Sequence, residues 1–378
     1  MKTEQNWYLI FAYALGVSFL ISIVLTDVVR RLALRWNILD HPGERKVHKA
    51  PIPLMGGVAI VTAFYLVIGG NLLALWSVRT LGDDWLDENI LAFLGANVGW
   101  KLGGIFAGSM VIFVLGVIDD IKALRPETKL AGQIVAALIL VFSGTRLELF
   151  IPNLWIGGAI TLAWVVVMTN SMNLLDNMDG LSAGVAIIAA FSFFLCLWPH
   201  GDAFVCVLLM VFAGSVAGFL YHNLNPARIF MGDAGAMFCG YMLATVGLLG
   251  TFHTETTPSR VAVAAPVLAL GVPIFDTLSV IYIRWRNGES IMKGDKRHFS
   301  HRLVDLGMTS RHAVEFIYLV AAVTGLGGAL LPQVGVTGTV IILAQTVGVF
   351  MLIVLLMNAG RAEPLPAPSD AQPGDPNP

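Results

Sequence analysis

Asn173-Leu174-Leu175-Asp176-Asn177-Met178-Asp179-Gly180 is a polar turn between two long apolar runs, residues 154–172 and 181–198. Two carboxylates held where lipid meets water carry a high solvation cost unless a cation binds beside them. The apolar flanks decide the fold, and the acids between them mark a site. Asn173, Asp176 and Asp179 recur every three residues, so an amide and two carboxylates share one polar stripe wherever helix is present. Capping the following helix needs only one of these acids. No Lys or Arg lies between residues 147 and 227. Neutralisation must therefore come from a divalent ion such as Mg2+ or from a partner on another loop.

Working outward, 56% of the 378 residues are hydrophobic and only 13% charged, which excludes a soluble globular chain. Runs long enough to cross a hydrocarbon core of about 30 Å lie near 7–29, 53–76, 101–118, 129–149, 154–172, 181–199, 203–221, 234–251, 261–283, 313–331 and 336–357. The expected fold is all-α: a polytopic membrane helix bundle of about eleven transmembrane helices. The first run is longer than a signal-peptide core and lacks a small-x-small cleavage pattern, so it is read as a helix. One catalytic domain is expected over residues 1–360. The proline-rich stretch 361–378 is too poor in apolar residues to fold and is read as a disordered tail.

Loops 30–52, 119–129, 222–233 and 284–312 hold six, three, one and seven Lys or Arg residues, whereas the opposite loops and the N-terminus hold five in all. By the positive-inside rule the N-terminus faces outward and the tail is cytoplasmic. The net charge of −2 gives no reason to expect a nucleic-acid partner. Cys196, Cys206 and Cys239 fall inside apolar runs without CxxC spacing, and are read as packing residues.

This orientation gathers the unusual residues on one face. The first inner loop, His41 to Gly57, carries Arg45, Lys46 and Lys49 before Pro53-Leu54-Met55-Gly56-Gly57. Glycines opening a helix let backbone amides approach an anion. Asp119-Asp120 closes the third run, where acids oppose the helix dipole and point about 100° apart, so that together they can hold one metal ion or leave one free as a base. Asp233, in Phe230-Met231-Gly232-Asp233-Ala234-Gly235, can ligate a metal or cap the helix it opens. His298 and His301, set among Lys293, Lys296, Arg297 and Arg302, form a candidate anion clamp; no Cys or further His stands at zinc spacing. Acids for a divalent cation and a basic loop for phosphates fit phosphoryl transfer on a lipid, in which catalysis is mostly positioning and charge neutralisation.

Five of these motifs, in order, resemble the polyprenyl-phosphate N-acetylhexosamine-1-phosphate transferases: Pro53-x-Met55-Gly56-Gly57, Asp119-Asp120, Asn173 to Gly180, Phe230 to Asp233, and the His298 loop. The family includes phospho-N-acetylmuramoyl-pentapeptide transferase and the undecaprenyl-phosphate N-acetylglucosaminyl-1-phosphate transferases. The resemblance implies transfer of a sugar-1-phosphate, GlcNAc-1-phosphate before others, from a UDP-N-acetylhexosamine to undecaprenyl or another polyprenyl phosphate. UMP is released, Mg2+ or Mn2+ is required, and a cell-envelope polymer is initiated at the bacterial inner membrane.

By the same resemblance Asp233 is a metal ligand, with Asp120 and Asp176 beside it, and Asp119 or Asp120 deprotonates or positions the lipid phosphate. His298 and His301 bind diphosphate. Lys49, Asn173, Asp176, Asp179, Asn223, Arg297 and Arg302 contact substrate, Asn223 in the nucleotide pocket. Many relatives carry consecutive histidines where this chain has Phe299-Ser300 between its two. A homodimer is compatible with such a bundle.

Two rivals are weaker. CDP-alcohol phosphotransferases share the opening Asp-x-x-Asp-Gly at 176–180, but Gly184 stands where they carry arginine. A transporter or flippase would place charges near the bilayer midplane; here the acids cluster at one face, except Asp276 within the ninth run, where it is expected to serve helix packing.

Overall fold

The computed structural model describes residues 2–42, 50–81, 96–147, 153–250, 252, 260–290 and 297–359. The expected tail at 361–378 and the candidate Lys49 lie outside them. Thirteen α-helices follow in order among the described residues: α1 Lys2–Arg35, α2 Gly56–Leu81, α3 Ala96–Lys122, α4 Pro126–Phe142, α5 Leu154–Leu175, α6 Leu181–Leu197, α7 Ala203–Asn223, α8 Gly232–Leu249, α9 Ala265–Ala269, α10 Gly271–Arg286, α11 Phe299–Asp305, α12 Ser310–Leu330 and α13 Val336–Ala359. A two-residue ribbon, β1 (Leu39–Asp40) against β2 (Ile52–Pro53), pairs antiparallel with Leu39 opposite Pro53.

Among the described residues nine helices are long and apolar enough to cross a membrane, or ten if α9 and α10, bent by 75° at a short break, form one span. The expectation of about eleven differs at α4, whose 17 residues rise only about 25 Å. The chain is a multi-pass membrane protein.

Helix packing follows from small residues at four-residue spacing. On α1, Ala14, Ser18, Ser22 and Thr26 are all buried. Their stripe lies against α7, where the Ser22 hydroxyl donates to the Ser215 carbonyl at 2.5 Å. Small side chains let backbones approach closely where no hydrophobic drive separates helix from lipid. The most enclosed span is α8, 78% buried, while α13 is only 11% buried and skirts the bundle. A Cβ on Gly57 would lie 2.0 Å from the Gly235 nitrogen, so the start of α2 meets α8 backbone to backbone.

That approach revises the reading of the Gly56-Gly57 amides as anion donors. The Gly56 amide donates to the Phe230 carbonyl at 2.9 Å and the Gly57 amide to the Met231 carbonyl at 2.8 Å. With the Phe230 amide donating to Pro53 at 2.8 Å, these bonds fasten the ribbon to the segment that opens α8.

Candidate active site

The acidic residues converge. Asp119, Asp120, Asp176, Asp179 and Asp233 line one cavity of about 860 Å³, together with Asp40, Lys129, Asn177, Asn223, Phe230, Gly232, His301 and Ser310. Its walls are the carboxyl ends of α3, α5 and α7 and the amino ends of α4, α8 and α12.

The last turn of α3 supplies two carboxylates with different duties. The Leu124 amide donates to Asp119 Oδ1 at 2.6 Å, closing the α3–α4 turn in which Ala123 adopts a left-handed φ of 45°. Asp119 Oδ2 meets the ammonium of Lys129, which also contacts Asp233 Oδ2. Asp120 reaches across to another helix: the Asp233 amide donates to its Oδ1 at 2.7 Å and the Ala234 amide to its Oδ2 at 3.2 Å. The sequence reading let Asp233 cap α8; the cap comes instead from Asp120, leaving the Asp233 side chain facing the cavity. Gly232, at φ 72°, makes room, because a Cβ there would lie 2.6 Å from Asp120 Oδ2.

In the central turn Asp176 is the C-cap residue of α5. Burial holds its carboxyl up to about 8, helped by the negative charges of Asp233, Asp120 and Asp179, and against a hydrogen bond from the Gly232 backbone. A buried carboxyl kept protonated beside other acids marks a site short of positive charge. The donor set, all carboxylate oxygens, fits a hard divalent cation. Among the described residues no three acidic, histidine or cysteine side chains already stand in metal-binding geometry.

Other expected contact residues also make hydrogen bonds within the fold. Asp179 Oδ2 accepts from Asn225 Nδ2 at 2.9 Å and from the Ala227 amide at 3.0 Å, tying the turn to the loop after α7. Asn223 lines the cavity, yet its Oδ1 accepts from the Gly180 amide and its Nδ2 donates to the Ile229 carbonyl, both at 2.9 Å. The Gly180 carbonyl accepts from the Tyr318 hydroxyl at 2.5 Å. Asn173 sits in the last turn of α5, outside the cavity lining, with its buried Nδ2 unpartnered.

The histidine loop divides. His301, on α11, lines the cavity. His298 does not: it is buried at the N-cap of α11, with Nδ1 2.8 Å from Asp276 Oδ2, while the Phe299 amide donates to Asp276 Oδ1 at 2.5 Å. The expected pair of diphosphate ligands is thus one cavity residue and one anchor. Arg297 and Arg302 also stand outside the cavity lining; Arg297 Nη2 donates to both carboxylate oxygens of Glu289 at 2.8 Å, and Arg302 Nη2 donates to Ser279 Oγ at 2.6 Å. The Ser300 hydroxyl donates to Asn177 Oδ1 at 2.5 Å, joining α11 to the central turn.

Lys129 is not among the residues that the sequence motifs mark. The cation sought for the acids lies outside the 147–227 interval, three residues after a helix-opening Pro126 in the turn following Asp119-Asp120. That spacing was the available signal.

A sequence profile described as glycosyl transferase family 4 matches residues 102–251. The chain is 33% identical over 323 residues to the "probable undecaprenyl-phosphate N-acetylglucosaminyl 1-phosphate transferase" of Bacillus subtilis, covering 83% of each chain. It is 33% identical to the decaprenyl-phosphate N-acetylglucosaminephosphotransferase of Mycolicibacterium smegmatis, covering 90% of this chain and 87% of that one. The chain belongs to glycosyl transferase family 4, the polyprenyl-phosphate sugar-phosphate transferases. A more distant family 4 relative, at 28% identity over 78% of this chain, is the phospho-N-acetylmuramoyl-pentapeptide transferase of Bacillus licheniformis.

Proposed function

We propose that this chain transfers N-acetylglucosamine-1-phosphate from UDP-N-acetylglucosamine to undecaprenyl phosphate or a similar polyprenyl phosphate, releasing UMP. The observation that carries the reading is the convergence of Asp119, Asp120, Asp176 and Asp233, from separate segments of the chain, on one cavity. The identity of the N-acetylglucosaminyl relatives favours the sugar over the muramoyl-pentapeptide alternative. Initiation of a cell-envelope polysaccharide is the matching role.

Asp233, Asp176 and Asp120 are the residues that would hold Mg2+ or Mn2+. Bound there, the ion would neutralise the diphosphate oxygens as negative charge moves onto the leaving group. Asp120, with both oxygens accepting amides, keeps the amino end of α8 in register with α3. Asp119 can release Lys129 and take the proton of the lipid phosphate. A phosphate oxygen of the lipid attacks the β-phosphorus, the bond from that phosphorus to the bridging oxygen breaks, and UMP departs. His301 and Lys129 supply cationic character at the cavity wall for the nonbridging oxygens. Phe230 offers a flat apolar face of the kind that nucleobases stack on.

The cavity lies where α3, α5 and α7 end and α4, α8 and α12 begin. That alternation, with α4 counted as a short span, supports eleven passes with the N-terminus outside and the C-terminus on the cavity side. The Lys and Arg bias supports a cytoplasmic cavity in a plasma membrane.

The test is UMP release by purified protein with undecaprenyl phosphate, Mg2+ and a panel of UDP-sugars including UDP-MurNAc-pentapeptide. Turnover with UDP-GlcNAc is expected, and none from folded protein with any donor would overturn the reading. UMP formed in stoichiometric amount without lipid would replace direct attack by a covalent intermediate.

A further inference from the structure

Lys129 stands in the first turns of α4, with its Nζ against Asp119 Oδ2 on α3 and Asp233 Oδ2 on α8. The side chain is only 25% exposed, so the contact is partly desolvated. It therefore joins the ends of three helices at the point where their acids would repel one another. An ammonium and a divalent cation compete for Asp233 Oδ2, because each needs its lone pairs and the two positive charges repel at contact distance.

We propose that Lys129 is a resident counter-cation: it holds Asp119 and Asp233 together in the metal-free protein and gives up Asp233 when a divalent cation enters. Without it the empty site would carry partly buried charges with no partner, a strongly destabilising arrangement. With it, metal affinity is lowered and the bundle stays assembled between turnovers. Asp119 keeps the displaced ammonium at the cavity wall until the lipid phosphate enters. This inference rests on the reading that the acids take a divalent cation.

The experiment is Mn2+ binding followed by electron paramagnetic resonance, on the full-length protein in detergent without substrate. Wild type is expected to bind one Mn2+; absence of binding would overturn the metal reading and this inference together. Lys129→Met is expected to bind Mn2+ roughly tenfold more tightly, the size of an ordinary negative coupling between two ligands. It should also melt lower without metal and gain more from Mn2+ than wild type. Lys129→Arg, which keeps the charge, should stay within about threefold of wild type. Wild type that binds Mn2+ while Lys129→Met binds it equally or less tightly would overturn the role of Lys129 alone.

A second measurement needs no variant. Reductive methylation of the wild-type protein, read by mass spectrometry, should label Lys129 faster once Mn2+ saturates the site, with Lys101 as the internal reference. Labelling of Lys129 that stays constant or slows would overturn the proposal.

Discussion

Asp120 caps a helix that is not its own: its carboxylate receives the amide of Asp233 at 2.7 Å, across an interval of 113 residues. One side chain thereby fixes the distance between the end of α3 and the start of α8, and with it the spacing of the acids. Asp120→Asn keeps an oxygen for the Asp233 amide and relieves repulsion among the carboxylates, whereas Asp120→Ala leaves that amide without an acceptor. Thermal unfolding in detergent should place the alanine variant about 1 kcal/mol below the asparagine variant, the ordinary value of a helix cap. Both should lose UMP release.

The contact of Gly57 with Gly235 leaves no room for a methyl group, since the obstacle is backbone. Gly57→Ala should destabilise by at least about 2–3 kcal/mol, the upper range for overpacking. Gly70, also helical, has nothing within 4 Å of its would-be Cβ. Gly70→Ala should be neutral or stabilising by up to about 1 kcal/mol, as alanine exceeds glycine in helix propensity. Equal melting temperatures for the two variants would contradict the packing described.

The apolar runs gave away the helices because lipid imposes length and composition on each crossing, and the acids stood out because lipid makes them costly. What escaped was partnership across the sequence. Gly56-Gly57 looked like an anion cradle because an exposed helix start and one packed against α8 read alike from one strand of sequence. His298 and His301, three residues apart, looked equivalent until Asp276, 22 residues earlier, took one of them out of the cavity. Asp276 has the packing duty its place within an apolar run suggests, with a loop rather than a neighbouring span as its partner. Lys129 escaped because its contacts are 10 and 104 residues away.

The raised carboxyl of Asp176 makes metal-free stability depend on pH. Folded, it holds its proton up to about pH 8, whereas unfolded it has the ordinary value of 3.8. Between these values the unfolded chain binds fewer protons, so stability falls as pH rises through the window and levels off above it. The melting temperature without metal should be higher at about pH 6 than at about pH 8.5, and Asp176→Asn should flatten this difference. Mn2+ must displace the same proton, so its affinity should rise with pH and plateau above about 8. A metal-free melting temperature that climbs across this range would contradict the assignment.

Asp276 receives His298 Nδ1 and the Phe299 amide while itself fully buried. Asp276→Ala removes both acceptors at once and leaves the first amide of α11 with nothing to bind, a loss of about 2–3 kcal/mol for buried donors. Because α11 carries His301 to the cavity and Ser300 to Asn177, the damage should reach the chemistry as well as the fold. Asp276→Asn keeps an oxygen for the Phe299 amide and should recover part of the melting temperature. Turnover separates the two effects. If Asp276 only stabilises packing, the asparagine variant should regain activity in step with stability. If it positions α11, kcat should stay low in the refolded, stable asparagine variant, because His298 then faces an amide in place of the carboxylate that fixes its ring.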